Sequence, residues 1–176
     1  MTTMLTDGTI ALRALEPSDL DRVYRWENDP ALWPCGNTVA PMSRQMLKEY
    51  IDNYEADIFR DRQLRLIITL CDSGEAIGTL DLFDLDPANS RCSLGIFIAT
   101  AYRNRGHASR AITIAERYCA DIINLHQLWV TVPVTNTASV TLFKNAGYTI
   151  VGRMRSWLKI AGHYHDVFLM QKFLVQ

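Results

Sequence analysis

The chain has 176 residues, with 18 Lys+Arg against 19 Asp+Glu, and 48% of it is hydrophobic. That length favours a single domain, which buries roughly 68–70% of the surface its unfolded form exposes, and the composition argues against disorder and fibre. A net charge of −1 excludes a broad electrostatic footprint for nucleic acid. No apolar run approaches the ~18 residues of a membrane span. The first residues lack a basic stretch followed by an apolar one, so no signal peptide is expected. The cysteines are Cys35, Cys71, Cys92 and Cys119, with no C-x-x-C pair and no nearby histidine cluster. Neither a metal site nor a disulfide framework is expected, and free thiols in a reducing cytoplasm fit better.

Residues 9–14 read as a short strand. Pro17 suits a first helical turn, Leu20, Val23, Tyr24 and Glu27 follow at helical spacing, and Asn28-Asp29-Pro30 stops that helix. Ser43 caps a second helix whose stripe is Leu47, Tyr50, Ile51, Tyr54 and Ile58. Three strands follow, at 64–71, 76–85 and 92–99, joined by a tight Asp72-Ser73-Gly74 turn and a looser turn at 87–90. A third helix spans 108–124. Its apolar face is Ala108, Ala111, Ile112, Ala115, Tyr118, Cys119, Ile122 and Ile123. A strand at 128–132 leads to a short helix capped by Thr135 or Asn136 and ended by Gly147. Residues 148–158 and 163–173 form a closing hairpin around Ala161-Gly162. The order β α α β β β α β α β β predicts an α+β domain. Its one parallel crossover, right-handed by rule, runs between the strands at 92–99 and 128–132.

The segment 96–111 carries the most chemistry. A strand ends, a basic loop follows, and a long helix opens on small residues. Helix N-termini present unpaired N–H groups and the positive end of a dipole. Gly106 admits a bulky anion close to the backbone, Ala108 keeps the helix start narrow, and Arg103, Arg105 and Arg110 add positive charge. Together these predict a phosphate cradle. Neither G-x-G-x-x-G nor G-K-[ST] is present. Arg103-x-x-Gly106-x-Ala108, with Tyr102 just ahead and an apolar strand before it, resembles the Q/R-x-x-G-x-G/A signature of the GNAT superfamily of N-acetyltransferases.

The resemblance runs along nearly the whole chain. Asn136 to Tyr148 resembles the family's N-x-x-A/S…Y-x-x-x-G-F segment. Leu15-Glu16-Pro17-Ser18-Asp19-Leu20, Trp26-Glu27-Asn28-Asp29-Pro30 and Gly162-His163-Tyr164-His165-Asp166 resemble the ribosomal-protein N-terminal acetyltransferases and the spermidine/spermine N-acetyltransferases. The resemblance implies one acetyltransferase domain over residues 1–176. It implies a mixed, mostly antiparallel sheet of about seven strands flanked by about four helices. It also implies acetyl-CoA as co-substrate. Its pyrophosphate lies on Arg103, Asn104, Arg105, Gly106, His107, Ala108 and Ser109. Its pantetheine arm lies along Ile96, Phe97 and Ile98 and on Asn136, with N–H groups near 96–98 polarising the thioester carbonyl.

Two usual acid–base groups are missing. Many family members carry a helical Tyr that protonates the departing thiolate, where this chain has Phe143. Many also carry a Glu where it has Ser93. Proximity supplies much of the barrier reduction, and acid–base help adds 10²–10⁴-fold. Ser139 is the candidate proton donor, one turn before Phe143, and Asp81 the candidate base, on the strand face it shares with Phe83. The histidines His107, His163 and His165 receive no role. No metal is needed, and no cysteine near the loop has a paired histidine, which argues for direct transfer.

The family's acceptor pocket falls between the first two helices and the closing hairpin. Those segments carry Trp26, Trp33, Tyr50, Trp157 and Tyr164, able to hold a cationic or planar amine. The loop 31–38 holds no carboxylate, which counts against a polycation. A peptide or protein N-terminus, or a small-molecule amine, is the expected acceptor. A spermidine-type acetyltransferase and a non-catalytic acetyl-CoA sensor are the alternatives. Neither nucleic acid nor membrane is an expected partner. Members of the family often form homodimers, and no feature of this sequence decides that matter.

Overall fold

The computed structural model describes residues 3–30, 32, 33 and 40–174. Cys35 and most of the carboxylate-free loop (31 and 34–38) lie outside the described residues. The elements run β1 (Ile10–Ala14), α1 (Leu20–Glu27), α2 (Arg44–Asp52), α3 (Ile58–Asp61), β2 (Leu64–Leu70), β3 (Ala76–Asp86), β4 (Arg91–Ile98), α4 (His107–Asp121), β5 (Gln127–Pro133), α5 (Thr137–Asn145), β6 (Thr149–Ile160) and β7 (His163–Phe173). Seven strands form one sheet in the order β1-β2-β3-β4-β5-β7-β6. All pairs are antiparallel except β4 with β5. The α+β class and the mostly antiparallel sheet therefore agree with the sequence.

Sequence and structure differ at three places. The second helix does not continue to Ile58. Asn53 ends α2, Ala56 turns to φ +55°, and Asp57 restarts one helical turn by accepting from the Phe59 and Arg60 N–H groups. Five helices thus appear among the described residues, not four. Helix α4 begins at His107 and stops at Asp121, so Ile122 is 54% exposed while Ile114 is fully buried. The strand β6 carries a bulge opposite Asp166, absent from the simple hairpin expected.

Both faces of the central sheet are covered, and period-2 alternation divides the side chains between them. Leu66, Ile68, Leu80, Leu82 and Leu94 join the main core with Ala111, Ile112, Ile114 and Ala115 of α4 and Phe143 of α5. Ile67 points the other way and packs with Val23 of α1, Leu47 and Ile51 of α2, and Leu15. Ser43 caps α2 by accepting the Met46 N–H at 3.0 Å. Asp19 is buried before α1, where it receives Arg13 Nη1 at 2.6 Å and Nη2 at 2.8 Å.

Candidate active site

The loop between β4 and α4 is built to present N–H groups. Asn104 and Gly106 both take the left-handed backbone, at φ +60° and +79°. Such alternation turns successive N–H groups toward one concavity. Within α4 the Arg110 N–H bonds Gly106 O at 3.2 Å, so His107, Ala108 and Ser109 sit in the first turn without intrahelical acceptors. The N–H groups of Asn104, Arg105 and Gly106 also find no backbone acceptor among the described residues. No acidic side chain occupies that first turn. The free N–H groups of residues 104–109 make a backbone concavity of a kind that fits a pyrophosphate, whereas the Arg103 N–H is taken by Thr100 O at 3.3 Å and offers no donor to it.

The three arginines are not equally available to it. Arg110 Nη1 pairs with Asp7 at 2.7 Å, and Arg103 Nε donates to Ile98 O at 2.8 Å. Arg105 is committed only to the face of Tyr102, at 5.8 Å. His107 is buried, and its Nδ1 has no hydrogen-bond partner.

Strands β4 and β5 pair only over Arg91–Gln127, Cys92–Leu128 and Ser93–Trp129. Beyond Ser93 each strand continues with a different neighbour. β4 stays on β3 as far as Ile98, and β5 stays on β7 as far as Pro133. A gap therefore opens between them. Backbone parity decides which groups face it. The Ala99 N–H donates to Ile77 O at 2.8 Å. With period 2, Gly95 and Phe97 also turn their N–H and C=O toward β3, while Ile96 and Ile98 turn theirs toward the gap. Of the three residues expected to line the pantetheine arm, Ile96 and Ile98 can do so through backbone. Phe97 is used in the β3 ladder. Its ring instead meets Trp26 edge-on at 5.5 Å and lies 6.0 Å from the Arg103 guanidinium.

Asn136 caps α5, just past the end of β5, its Oδ1 accepting the Ser139 N–H at 3.1 Å. Ser139 is half-buried in the first turn of α5. Phe143, one turn on, is buried and packs edge-on against Tyr148 at 5.1 Å. Ser93 is 1% exposed at the vertex of the gap, and its Oγ has no partner. The neighbouring Cys92 thiol donates to Phe83 O at 3.1 Å, and burial pushes its pKa up to about 12. A thiol so protonated is a poor nucleophile.

Asp81 stands opposite Gly95, on the face that Phe97 and Trp26 share. A Cβ at Gly95 would come within 3.1 Å of the Phe83 ring, so Phe83 covers that glycine. Asp81 is not alone. Arg65 Nε donates to its Oδ1 at 2.6 Å, and Arg65 Nη1 donates to Glu27 Oε1 at 2.5 Å. Burial works against the charged guanidinium, but Asp81 and Glu27 outweigh it and raise its pKa. Tyr54 receives the Arg65 N–H at 2.5 Å, and burial pushes Tyr50 up to about 12. The triad Glu27–Arg65–Asp81 escaped the sequence reading. Its signal was present: a lone Arg in the apolar run of β2, and in β3 an Asp81 flanked by Leu80 and Leu82, each require a partner.

The expected acceptor aromatics divide into two groups. Trp26 is half-buried against Phe97, and Trp33 Nε1 donates to Glu27 O at 2.9 Å. Trp157 is 65% exposed and Tyr164 is 64% exposed, both on the closing hairpin. No ring contact joins the two groups among the described residues. The β6 bulge explains Trp157. Met154 pairs with Val167 and Leu158 with His165, so residues 155–157 oppose Asp166 alone. Asp166 holds the bulge by accepting the Ser156 N–H at 2.8 Å and Arg153 Nε at 2.7 Å.

Residues 9–149 match the family described as Acetyltransferase (GNAT) domain. The chain belongs to the GNAT acetyltransferase family. This GNAT enzyme transfers an acetyl group from acetyl-CoA to an amine. It is similar to the spermidine N(1)-acetyltransferase of Escherichia coli (strain K12), 26% identical over 162 residues covering 92% of this chain and 84% of that protein. The putative ribosomal N-acetyltransferase YdaF of Bacillus subtilis (strain 168) is 22% identical over 182 residues, 95% of this chain and 92% of that one. Both subgroups that the sequence resembles are represented. A crystal structure of spermidine N-acetyltransferase from Vibrio cholerae, in complex with CoA and spermine, shares the fold with a TM-score of 0.86. It is 24% identical and covers 96% of this chain and 97% of that one. No helix among the described residues is long and apolar enough to cross a membrane.

Proposed function

We propose that this GNAT enzyme acetylates a primary amine of low charge, a peptide or protein N-terminus or a small monoamine. The observation that carries the acceptor class is Arg65. It neutralises one of the two carboxylates, Glu27 and Asp81, on the acceptor face, which leaves a net charge of −1 there. One unbalanced carboxylate suits one ammonium, and a polycation calls for several.

Acetyl-CoA supplies the activated acetyl thioester. The N–H groups of residues 104–109 hold its pyrophosphate, and the gap-facing groups of Ile96 and Ile98 align the arm. The attacking amine must be neutral. Asp81, held in place by Arg65, receives its proton. Ser139 passes a proton to the departing thiolate and takes one back from solvent, so the hydroxyl is restored. With Cys92 protonated and unpaired with histidine, transfer is direct. The free thiols of Cys71, Cys92 and Cys119 suit a reducing cytoplasm. The long open edge of β6, with Trp157 exposed beside it, suits self-association.

A polyamine acceptor is the second reading, favoured by the spermidine N(1)-acetyltransferase relative. Acceptor-stimulated thiol release from acetyl-CoA separates the two. N-terminal peptides and monoamines are expected to exceed spermidine and spermine in kcat/KM. The reverse order would establish the polyamine reading, and no release with any amine would favour a sensor.

A further inference from the structure

A second cavity adjoins the cradle. Helix α1, the β2–β3 turn and the start of the β4–α4 loop line an open cleft of about 230 Å³. Its wall holds Arg22, Arg25, Trp26, Glu75, Ala99 and Tyr102. The charges do not cancel. Glu75 is the one acid in the wall, and Arg22 matches it at 3.7 Å while donating to Ala76 O at 2.8 Å. Arg25 donates through Nε to Asp21 O at 3.2 Å and pairs with no carboxylate among the described residues. Arg105 adds a further positive charge over the Tyr102 ring. Tyr102 lies in the cavity wall and directly precedes residues 103–109, so cavity and cradle are contiguous.

We propose that this cavity is an anion subsite in which Arg25 binds a phosphate monoester. The favoured source is the ribose 3′-phosphate of coenzyme A. This rests on the reading that residues 104–109 hold the pyrophosphate, which places the ribose phosphate within reach. An anion on the acceptor is the other source. It would have to span from the reacting end near Gly95 to Ala99, four strand residues or about 13 Å. The Arg25 guanidinium is planar with several donors, the shape that phosphate oxygens accept.

Calorimetric titration of the full chain with coenzyme A and with 3′-dephospho-coenzyme A tests the assignment, using wild type and Arg25→Ala. Arg25 is exposed, and an unchanged Tm checks that the variant folds. The expected result is that wild type prefers coenzyme A by about tenfold, the scale of one charge-assisted hydrogen bond. Arg25→Ala should lose that preference and leave 3′-dephospho-coenzyme A binding unchanged. If both cofactor forms bind wild type and variant alike, acceptor kinetics decide the source. A KM raised by Arg25→Ala only for amines bearing a phosphate or carboxylate assigns the anion to the acceptor and upholds the subsite. No change in either measurement overturns it. Failure of wild type to bind either cofactor form would overturn the pyrophosphate reading beneath it.

Discussion

Replacing Gly106 probes the cradle directly. Gly106 holds φ +79° and ψ 0° at the N-cap of α4, and nothing lies within 4 Å of where its Cβ would sit. The cost of Gly106→Val is therefore backbone strain and not a clash. A left-handed L-residue costs about 1–2 kcal/mol, more for a β-branched one. If the loop keeps its shape, stability drops by that amount, about 2–8 °C in Tm for a chain of this size. If the loop relaxes, the N–H groups of residues 104–109 disperse and the same energy appears as lost affinity. At ~1.4 kcal/mol per tenfold, the Kd for coenzyme A should rise about five- to thirtyfold. Calorimetry with a parallel thermal melt reads both quantities. Gly106→Asn should be the mildest variant, because Asn tolerates this region. A folded Gly106→Val variant with wild-type affinity and wild-type Tm would refute the reasoning.

Other substitutions address the chemistry and the framework. Ser139→Ala should lower kcat by about 10²–10⁴-fold without weakening α5, since the cap uses the Ser139 N–H and not its hydroxyl; an unchanged kcat would leave the thiolate to water. Asp81→Asn should lower kcat by a similar factor across the pH range with little change in coenzyme A affinity, and an unaltered pH–rate profile would remove Asp81 as the base. The Asp19 carboxyl pays a burial penalty, but Arg13 and the Glu16 N–H outweigh it and hold its pKa below 3.8. A depressed carboxylate stabilises the fold above its unfolded pKa, and that contribution fades as pH falls through the folded value. Asp19→Asn should therefore reduce stability at neutral pH and flatten its decline below about pH 4, as urea melts at several pH values would show.

Local patterns in the chain already carried much of this architecture. Arg103, Gly106 and Ala108 are close in sequence, and the left-handed turn and helix start at Gly106 depend on local residues, so this loop was legible without tertiary information. The order of elements along the chain followed from hydrophobic period and turns such as Ala161-Gly162, both left-handed in the structure. What escaped depends on register and on distant partners. The separate duties of Ile96 and Phe97 follow from pairing with β3. The Glu27–Arg65–Asp81 triad joins α1, β2 and β3. Arg110, counted among the positive charges of the cradle, is tied to Asp7, 103 residues away in sequence. The β6 bulge depends on Asp166 satisfying the Ser156 N–H across the hairpin, which no local pattern announces.

Amide hydrogen exchange, resolved residue by residue with and without coenzyme A, tests the placement of the cofactor most directly. The N–H groups of Ile96 and Ile98 face the gap, and that of Phe97 already bonds β3. Coenzyme A should slow exchange strongly at Ile96, and also across residues 104–109, while Phe97 changes little. Saturating coenzyme A that leaves Ile96 exchanging at its free rate would contradict it.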